Sequence, residues 1–296
     1  MSDKVSEGVW GILVCPDCKS RLIQSGEGGV CDVCKTNYAN TRTGGIDCRL
    51  KNPVVYESSI TIGNALDVNC KIGQLIVNDK PEVDFSGIDV PFHLTKETMS
   101  YLPKAKSESS LMLDLGCGGQ VHKKVCEHAG FEYVGLDYGL HAPVCGDAHA
   151  LPFCDESFEF IMSIAVLEHL RYPFVAMEEA CRVLKPNGLF IGTVAFLEPF
   201  HAESFYHHTH LGVINSLQQG GFKVEKISPS DEWSVLKAQA EMALFPGVPN
   251  YLVNIFILPV QLLHKVAWRL FKGKEAEIER IRDTTGAFTF IARKMS

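Results

Sequence analysis

From Leu111 to the end of the chain, short apolar runs alternate with stretches long enough for helices. That alternation restricts the fold to βαβ units and a largely parallel sheet. Leu111-Met112-Leu113-Asp114-Leu115 is the first run and ends at glycines. A helix-compatible stretch follows from Gln120 to Ala129, then a strand from Tyr133 to Leu136 that ends at Asp137. A strand over 158–163 leads into a helix over 174–184, and Lys185-Pro186-Asn187-Gly188 is a strong turn signal before a strand over 189–193. A helix over 211–219 stops at Gly220-Gly221, a strand over 222–227 follows, and a last strand over 287–292 comes after a long insertion. The sequence is thus read as α/β.

Residues 1–50 have a different character, rich in Cys, Gly and Lys with little helical periodicity. Cys15-Pro16-Asp17-Cys18 is followed after twelve residues by Cys31-Asp32-Val33-Cys34. Two CxxC turns aim four thiolates at one point, which suits a closed tetrahedral zinc site of structural role. Iron suits the same donor set, and four free or disulfide-bonded cysteines are the plain alternative. The chain begins polar and acidic rather than basic and then apolar, and the remaining cysteines scatter through what reads as core. Both observations point to a reducing cytoplasm. The net charge of −7 opposes nucleic acid as a partner and favours a small acceptor. Residues 51–107 read as a connector with a few strands or short helices.

The glycine run Gly116-Cys117-Gly118-Gly119 sits between a strand and a helix, where a backbone free of side chains lets a ligand approach the helix N-terminus. Asp137 follows about 20 residues later, where a dinucleotide-type fold places its ribose-binding acid. A nicotinamide-binding domain shows the same pair of features. Three further motifs narrow the choice: Asp147-Ala148, Ala165-Val166-Leu167-Glu168-His169, and Leu184 to Leu189. With these, residues from about 108 to 228 and the final strand resemble the class I S-adenosylmethionine (SAM)-dependent methyltransferases, of the methyltransferase type 11-like kind. The resemblance implies a Rossmann-like, seven-stranded, doubly wound sheet. It also implies a SAM site at Asp114, Gly116, Cys117, Gly118, Asp137, Asp147, Ala148, Ala165 and Glu168. Asp137 would hold the ribose hydroxyls and Asp147-Ala148 the adenine. The sequence departs from the family at Gln120, where a third glycine is usual, and between Asp137 and Asp147, too short for the usual helix. The N-terminal segment resembles the zinc-ribbon domains fused in front of bacterial methyltransferases and the stand-alone zinc-ribbon activator of tRNA and rRNA methyltransferases. The metal ligands implied are Cys15, Cys18, Cys31 and Cys34, and Asp47 stands where the family has proline.

The expected organisation is a zinc-ribbon-like domain over 1–50, a connector over 51–107, and a methyltransferase domain over 108–296 with an insertion over 229–284. Histidines at 201, 207, 208 and 210 follow the fifth strand, on the side where open α/β sheets bind ligands. His201 and His207 are taken as the candidate general bases. The insertion is expected to fold over the cleft and build much of the acceptor pocket. From Met242 to Leu263 it carries no charge but is interrupted by Pro246, Pro249 and Pro259, a poor pattern for a membrane-spanning helix. With the basic, apolar stretch up to Lys272 it suits a lid, a partner surface or a peripheral membrane contact over 242–272. The expected activity is methylation of oxygen or nitrogen on a small-molecule, saccharide or lipid-linked acceptor. An RNA methyltransferase using the zinc module for substrate binding, and a non-catalytic scaffold, are the alternatives.

Overall fold

The computed structural model describes residues 5–26, 28–60, 62–63, 65–230 and 232–296. The cysteine segment opens with α1 (Glu7–Trp10), capped by the Ser6 hydroxyl, and continues as an antiparallel sheet of β1 (Leu22–Ser25), β2 (Gly28–Cys31) and β3 (Asn37–Ala39). Next come β4 (Ile46–Asp47), β5 (Lys71–Ile72) and α2 (Lys96–Met99). The main domain then runs β6 (Leu111–Leu115), α3 (Lys123–His128), β7 (Glu132–Asp137), β8 (Val144–Cys145), β9 (Phe158–Ile164), α4 (Pro173–Val183), β10 (Leu184–Ala195), α5 (His210–Gln219) and β11 (Phe222–Pro229). After the insertion, with α6 (Val235–Gln239), α7 (Asn250–Lys272) and α8 (Glu277–Thr284), the chain closes on β12 (Ala287–Lys294).

The main sheet has the order β4-β8-β7-β6-β9-β10-β12-β11-β5. Only β12 is antiparallel to its neighbours, pairing β10 from Leu189↔Arg293 to Ala195↔Ala287. The seven strands expected from sequence are its centre, and two-residue strands from the first 107 residues are added at the edges. Side chains of β6 alternate between two buried cores: Leu111, Leu113 and Leu115 in one, Met112 in the other. Such two-sided burial is why these strands read as continuous apolar runs. One face is covered by α4 and α5, through Met177, Val183, Ile214 and Leu217. The other is covered by α3 and, in place of further helices, by the connector residues Leu94, Met99 and Leu102.

Element positions follow the sequence reading closely. The helix over 120–129 is shortened to α3, and Lys185–Gly188 is a bulge inside one continuous β10, with Asn187 at φ +61°. No helix lies between Asp137 and Val144. The connector is mostly irregular, with only β5 and α2 as regular elements among its described residues. The uncharged stretch is helical through Pro259: Pro249 caps the N-terminus of α7, and Pro259 sits on its exposed side.

The cysteine segment is built into the sheet rather than tethered to it. Ile46 pairs with Val144, and Cys48 N–H donates to the Cys145 carbonyl at 2.7 Å. Gly45 is required for this contact, since a Cβ there would lie 2.4 Å from the Pro143 carbonyl oxygen. A buried carboxylate fixes the same segment to α4. Glu179, 3% exposed, accepts from Lys19 Nζ at 2.7 Å and from Arg182 Nε and Nη2 at 2.7 and 2.9 Å. Burial opposes its charge, but Arg182 and Lys19 outweigh that and hold its pKa below the ordinary 4.5. The pair therefore stabilises the fold fully above about pH 4.5 and is lost as pH falls through the depressed value. Removing one partner of a buried ion pair costs about 3 kcal/mol or more. Glu179→Ala is expected to destabilise by that order in denaturant titration at pH 7. Glu179→Gln should flatten the acid-side loss of stability below pH 4.5; an unchanged acid slope would refute the assignment.

Candidate functional site

The chain leaves β6 for β7 and β8 on one side and returns for β9 and β10 on the other. The strand order therefore reverses at β6 and β9, the place where such sheets hold ligands. At the carboxyl end of β6 the backbone turns through Gly116 at φ +80°, a conformation that favours glycine. A Cβ there would also lie 2.3 Å from Val166 Cγ2, so glycine is needed twice over. Gly118, at φ +47°, faces open space, and a Cβ would meet nothing within 4 Å. Gln120 adopts φ +58°, a left-handed geometry that accounts for the glycine usual at this place.

Asp137 closes this loop. Its Oδ2 accepts from Gly118 N–H at 3.0 Å and its Oδ1 from Gly139 N–H at 2.9 Å. Asp114 is fully buried and accepts from the Tyr133 hydroxyl at 2.7 Å through Oδ2, while its Oδ1 has no partner. His122 Nδ1 stands 3.6 Å from the same Oδ2. Burial disfavours the charged form of His122, yet the Asp114 carboxylate raises its pKa on balance. Asp147 accepts from His149 N–H at 2.9 Å and pairs with His149 Nδ1 at 2.6 Å, beside the buried Ala148. Cys117 is buried, with Sγ packed where Gly135 has no side chain.

Ala165 and Glu168 belong to a different part of the site. They line a cavity of about 650 Å³ together with Thr193 and His201, and none of the glycine-loop residues lines it. Ala165 takes φ +55° and its N–H is held by the Thr193 carbonyl and hydroxyl. Glu168 is 1% exposed, and neither carboxyl oxygen has a partner. Burial pushes its pKa up to about 7. The Glu168 carbonyl accepts from Phe205 and Tyr206 N–H, which fixes the histidine loop over the strand ends. The His201 ring contacts those of His169 and His207, with centroids 5.4 and 6.0 Å away. His207 lies behind it, 3.4 Å from the Ser204 hydroxyl, and is not among the cavity-lining residues. Burial lowers the pKa of His169 and of His208.

The insertion does reach this cavity. Trp233 and Asn254 line it, and Trp233 Nε1 donates to Glu198 Oε1 at 2.7 Å. The connector contributes His93 and Thr95 to the cavity lining. His93 had no sequence signal, being a single histidine in an irregular segment with no motif around it.

The four thiols of the cysteine segment meet at one point. Their Sγ atoms all lie within 4.8 Å of one another, with Cys15–Cys34 at 3.6 Å and Cys18–Cys31 at 3.5 Å. For sulfur about 2.3 Å from zinc, the edges of a tetrahedron measure about 3.8 Å. All eleven cysteines are free, so no disulfide competes for them.

Residues 113–192 match a family model described as a methyltransferase domain. The match runs from β6 into β10 and takes in the glycine loop, Asp137, Asp147 and Glu168. The chain is 36% identical over 91 residues to the probable tRNA methyltransferase 9B of Homo sapiens, covering 27% of this chain and 20% of that protein. It is 30% identical over 100 residues to a ubiquinone biosynthesis O-methyltransferase of Cereibacter sphaeroides, covering 28% of this chain and 40% of that one. The chain thus spans less than half the length of these curated relatives. A solved complex of the Haloferax volcanii Trm112 methyltransferase activator with a candidate methyltransferase aligns at 19% identity. It covers 69% of this chain and 90% of that one, with a TM-score of 0.47. The histidine loop after Gly192, the insertion, the connector and the cysteine segment all lie outside the matched methyltransferase domain.

Gly116→Ala tests the loop geometry. The left-handed φ and the contact with Val166 should together cost about 1–3 kcal/mol. Thermal unfolding should show the loss, and an unchanged melting temperature would mean that the turn has another shape.

Proposed function

We propose that the chain is a SAM-dependent methyltransferase acting on oxygen or nitrogen of a small acceptor, saccharide or lipid-linked, met at a membrane surface. The observation that carries the methyl-transfer part is the loop at Gly116–Gly118, open in front and closed behind by Asp137, inside the methyltransferase domain. SAM, when bound, supplies an activated methyl group. The chain's own residues do the rest. Gly116, Cys117 and Gly118 present backbone to the methionine end, and the unpartnered Asp114 Oδ1 lies beneath them. Asp137 holds the ribose hydroxyls, and Asp147 with Ala148 frames the adenine. Ala165 and Glu168 form the wall between cofactor and acceptor, and the cavity under Trp233 keeps water from the acceptor.

The membrane part rests on α7. Its inward side is mixed, with buried Val253 beside the half-buried Asn254, Ile257, Gln261 and Trp268, and Gln261 Nε2 donates to the Ser234 hydroxyl at 2.9 Å. Its outward side is apolar, with Ile255, Phe256, Leu263, Leu270 and Phe271 all exposed. A helix with so many large apolar side chains exposed needs an apolar partner. Lys265, Arg269 and Lys272 are its only charged residues, which suits an anionic lipid surface. By length and composition this helix is also long enough to cross a bilayer. The insertion leaves β11 and returns to its sheet neighbour β12, and in this reading α7 lies along the membrane surface rather than across it. The acceptor pocket would then open beside the lipid from which the acceptor comes.

The four-cysteine site is proposed to hold one structural zinc, with Cys15, Cys18, Cys31 and Cys34 as ligands. An RNA acceptor is the second reading, supported by the similarity to a protein named as a tRNA methyltransferase and opposed by the net charge of −7.

Calorimetry tests the first claim: SAM should bind, and Asp137→Ala should weaken it by about 1.5–3 kcal/mol, the worth of hydrogen bonds to a charged group. Unchanged affinity would displace Asp137 from the site. Co-sedimentation with phosphatidylglycerol vesicles tests the second. Binding should fall when Phe256 and Phe271 are changed to Ser, and dimerisation through α7 without vesicle binding would overturn it. Elemental analysis should find zinc near one per chain, lowered by Cys31→Ser; metal-free protein purified without chelators would refute the zinc site.

A further inference from the structure

Among the described residues, Glu168 is the one carboxylate with both oxygens buried and unpartnered. It is 1% exposed, it faces the cavity, and both carboxyl oxygens lack any partner. A buried carboxylate in that state is costly unless something positive or donating joins it. The SAM reading places Glu168 at a wall but leaves both of its oxygens unused. The groups around it are histidines. One ligand atom from each of Glu168, His169 and His201 lies within 4.8 Å of the others.

Both rings are set up from behind. His201 Nδ1 hydrogen-bonds the Pro199 carbonyl at 2.9 Å, which leaves Nε2 with its lone pair free. His169 hydrogen-bonds the Ala202 backbone, and its buried Nδ1 has no partner. This is the arrangement that outer hydrogen bonds give to metal-binding imidazoles, with one nitrogen tied to backbone and the other offered. Two imidazoles and one carboxylate that meet within reach of one point suit a divalent first-row transition metal and leave open positions for further oxygen ligands.

We propose that Glu168, His169 and His201 bind one divalent transition-metal ion at the floor of the cavity, with its open coordination positions facing an oxygen-bearing acceptor. The site is separate from the four-cysteine site and differs in donor type. Its role, though not its existence, rests on the methyltransferase reading. A cation there orients a chelating oxygen acceptor and lowers the pKa of a bound hydroxyl, whose proton leaves to solvent. The Glu168 carbonyl, by holding Phe205 and Tyr206 N–H, keeps the histidine loop over the ion.

Mn²⁺ is the probe, because nitrogen and oxygen donors bind it and thiolates prefer softer ions. Full-length protein is stripped with chelator, and loss of the free-ion Mn²⁺ resonance is followed on titration. One Mn²⁺ per chain is expected. Glu168→Gln and His201→Asn should weaken it by about tenfold or more, the size of loss that even outer-shell changes reach. Cys31→Ser should leave it unchanged. His169→Asn provides a third variant should Glu168→Gln fail to fold, with melting curves in chelator as the check. No Mn²⁺ binding by the wild type, or undiminished binding by the folded variants, overturns the proposal. SAM calorimetry on the stripped protein separates the two readings. SAM binding without Mn²⁺ binding removes the metal site alone, and Mn²⁺ binding without SAM binding removes the methyltransferase reading instead.

Discussion

Two-sided burial of the central sheet is the constraint from which the rest follows. Leu113 and Met112 point to opposite cores, and both cores are apolar and buried. Polar side chains therefore have one place left to gather, the carboxyl ends of the strands. Asp114, Asp137, Glu168 and the histidine loop all stand there. Because β12 enters between β10 and β11 in the reverse direction, the chain between β11 and β12 leaves and returns at that same end. The insertion is thereby delivered to the cavity mouth.

The sheet was legible in the sequence for the same physical reason. Strands buried on both faces appear as unbroken apolar runs, so Leu111–Leu115 and the run from Phe158 stand out without any partner information. The glycine loop was legible because backbone conformation selects residue type, as at Gly116. The cavity was not. Its walls come from His93, Glu168, Thr193 and Trp233, which are far apart in the chain and share no period or spacing. The prolines of the insertion do not end α7. A missing N–H breaks one hydrogen bond, and on an exposed side the helix carries on past Pro259. The connector was read as carrying a few strands or short helices; it has β5 and α2, and it buries Leu94, Met99 and Leu102 against the sheet.

The parts that bring the cavity its individual character lie outside the matched segment. The segment of 113–192 supplies Ala165, Glu168 and the glycine loop, while the connector and the insertion supply further lining of the cavity. Glu198 joins these regions, since it follows β10 and accepts from Trp233 of the insertion. Burial raises the pKa of Glu198, and the Trp233 donor partly offsets this.

The two-residue strands at the sheet margins have a bearing on how this protein is handled as fragments. On one side β4 lies along β8, and on the other β5 lies along β11. Both come from the first 107 residues. An open β-edge offers unpaired N–H and carbonyl groups to any passing strand, including the edge of an identical molecule. Trimming the chain to its matched core would bare both margins at once, along with the apolar face that Leu94, Met99 and Leu102 cover. The segments ahead of Leu111 therefore act as selvedges, keeping the sheet from fraying and from being sewn to its neighbours.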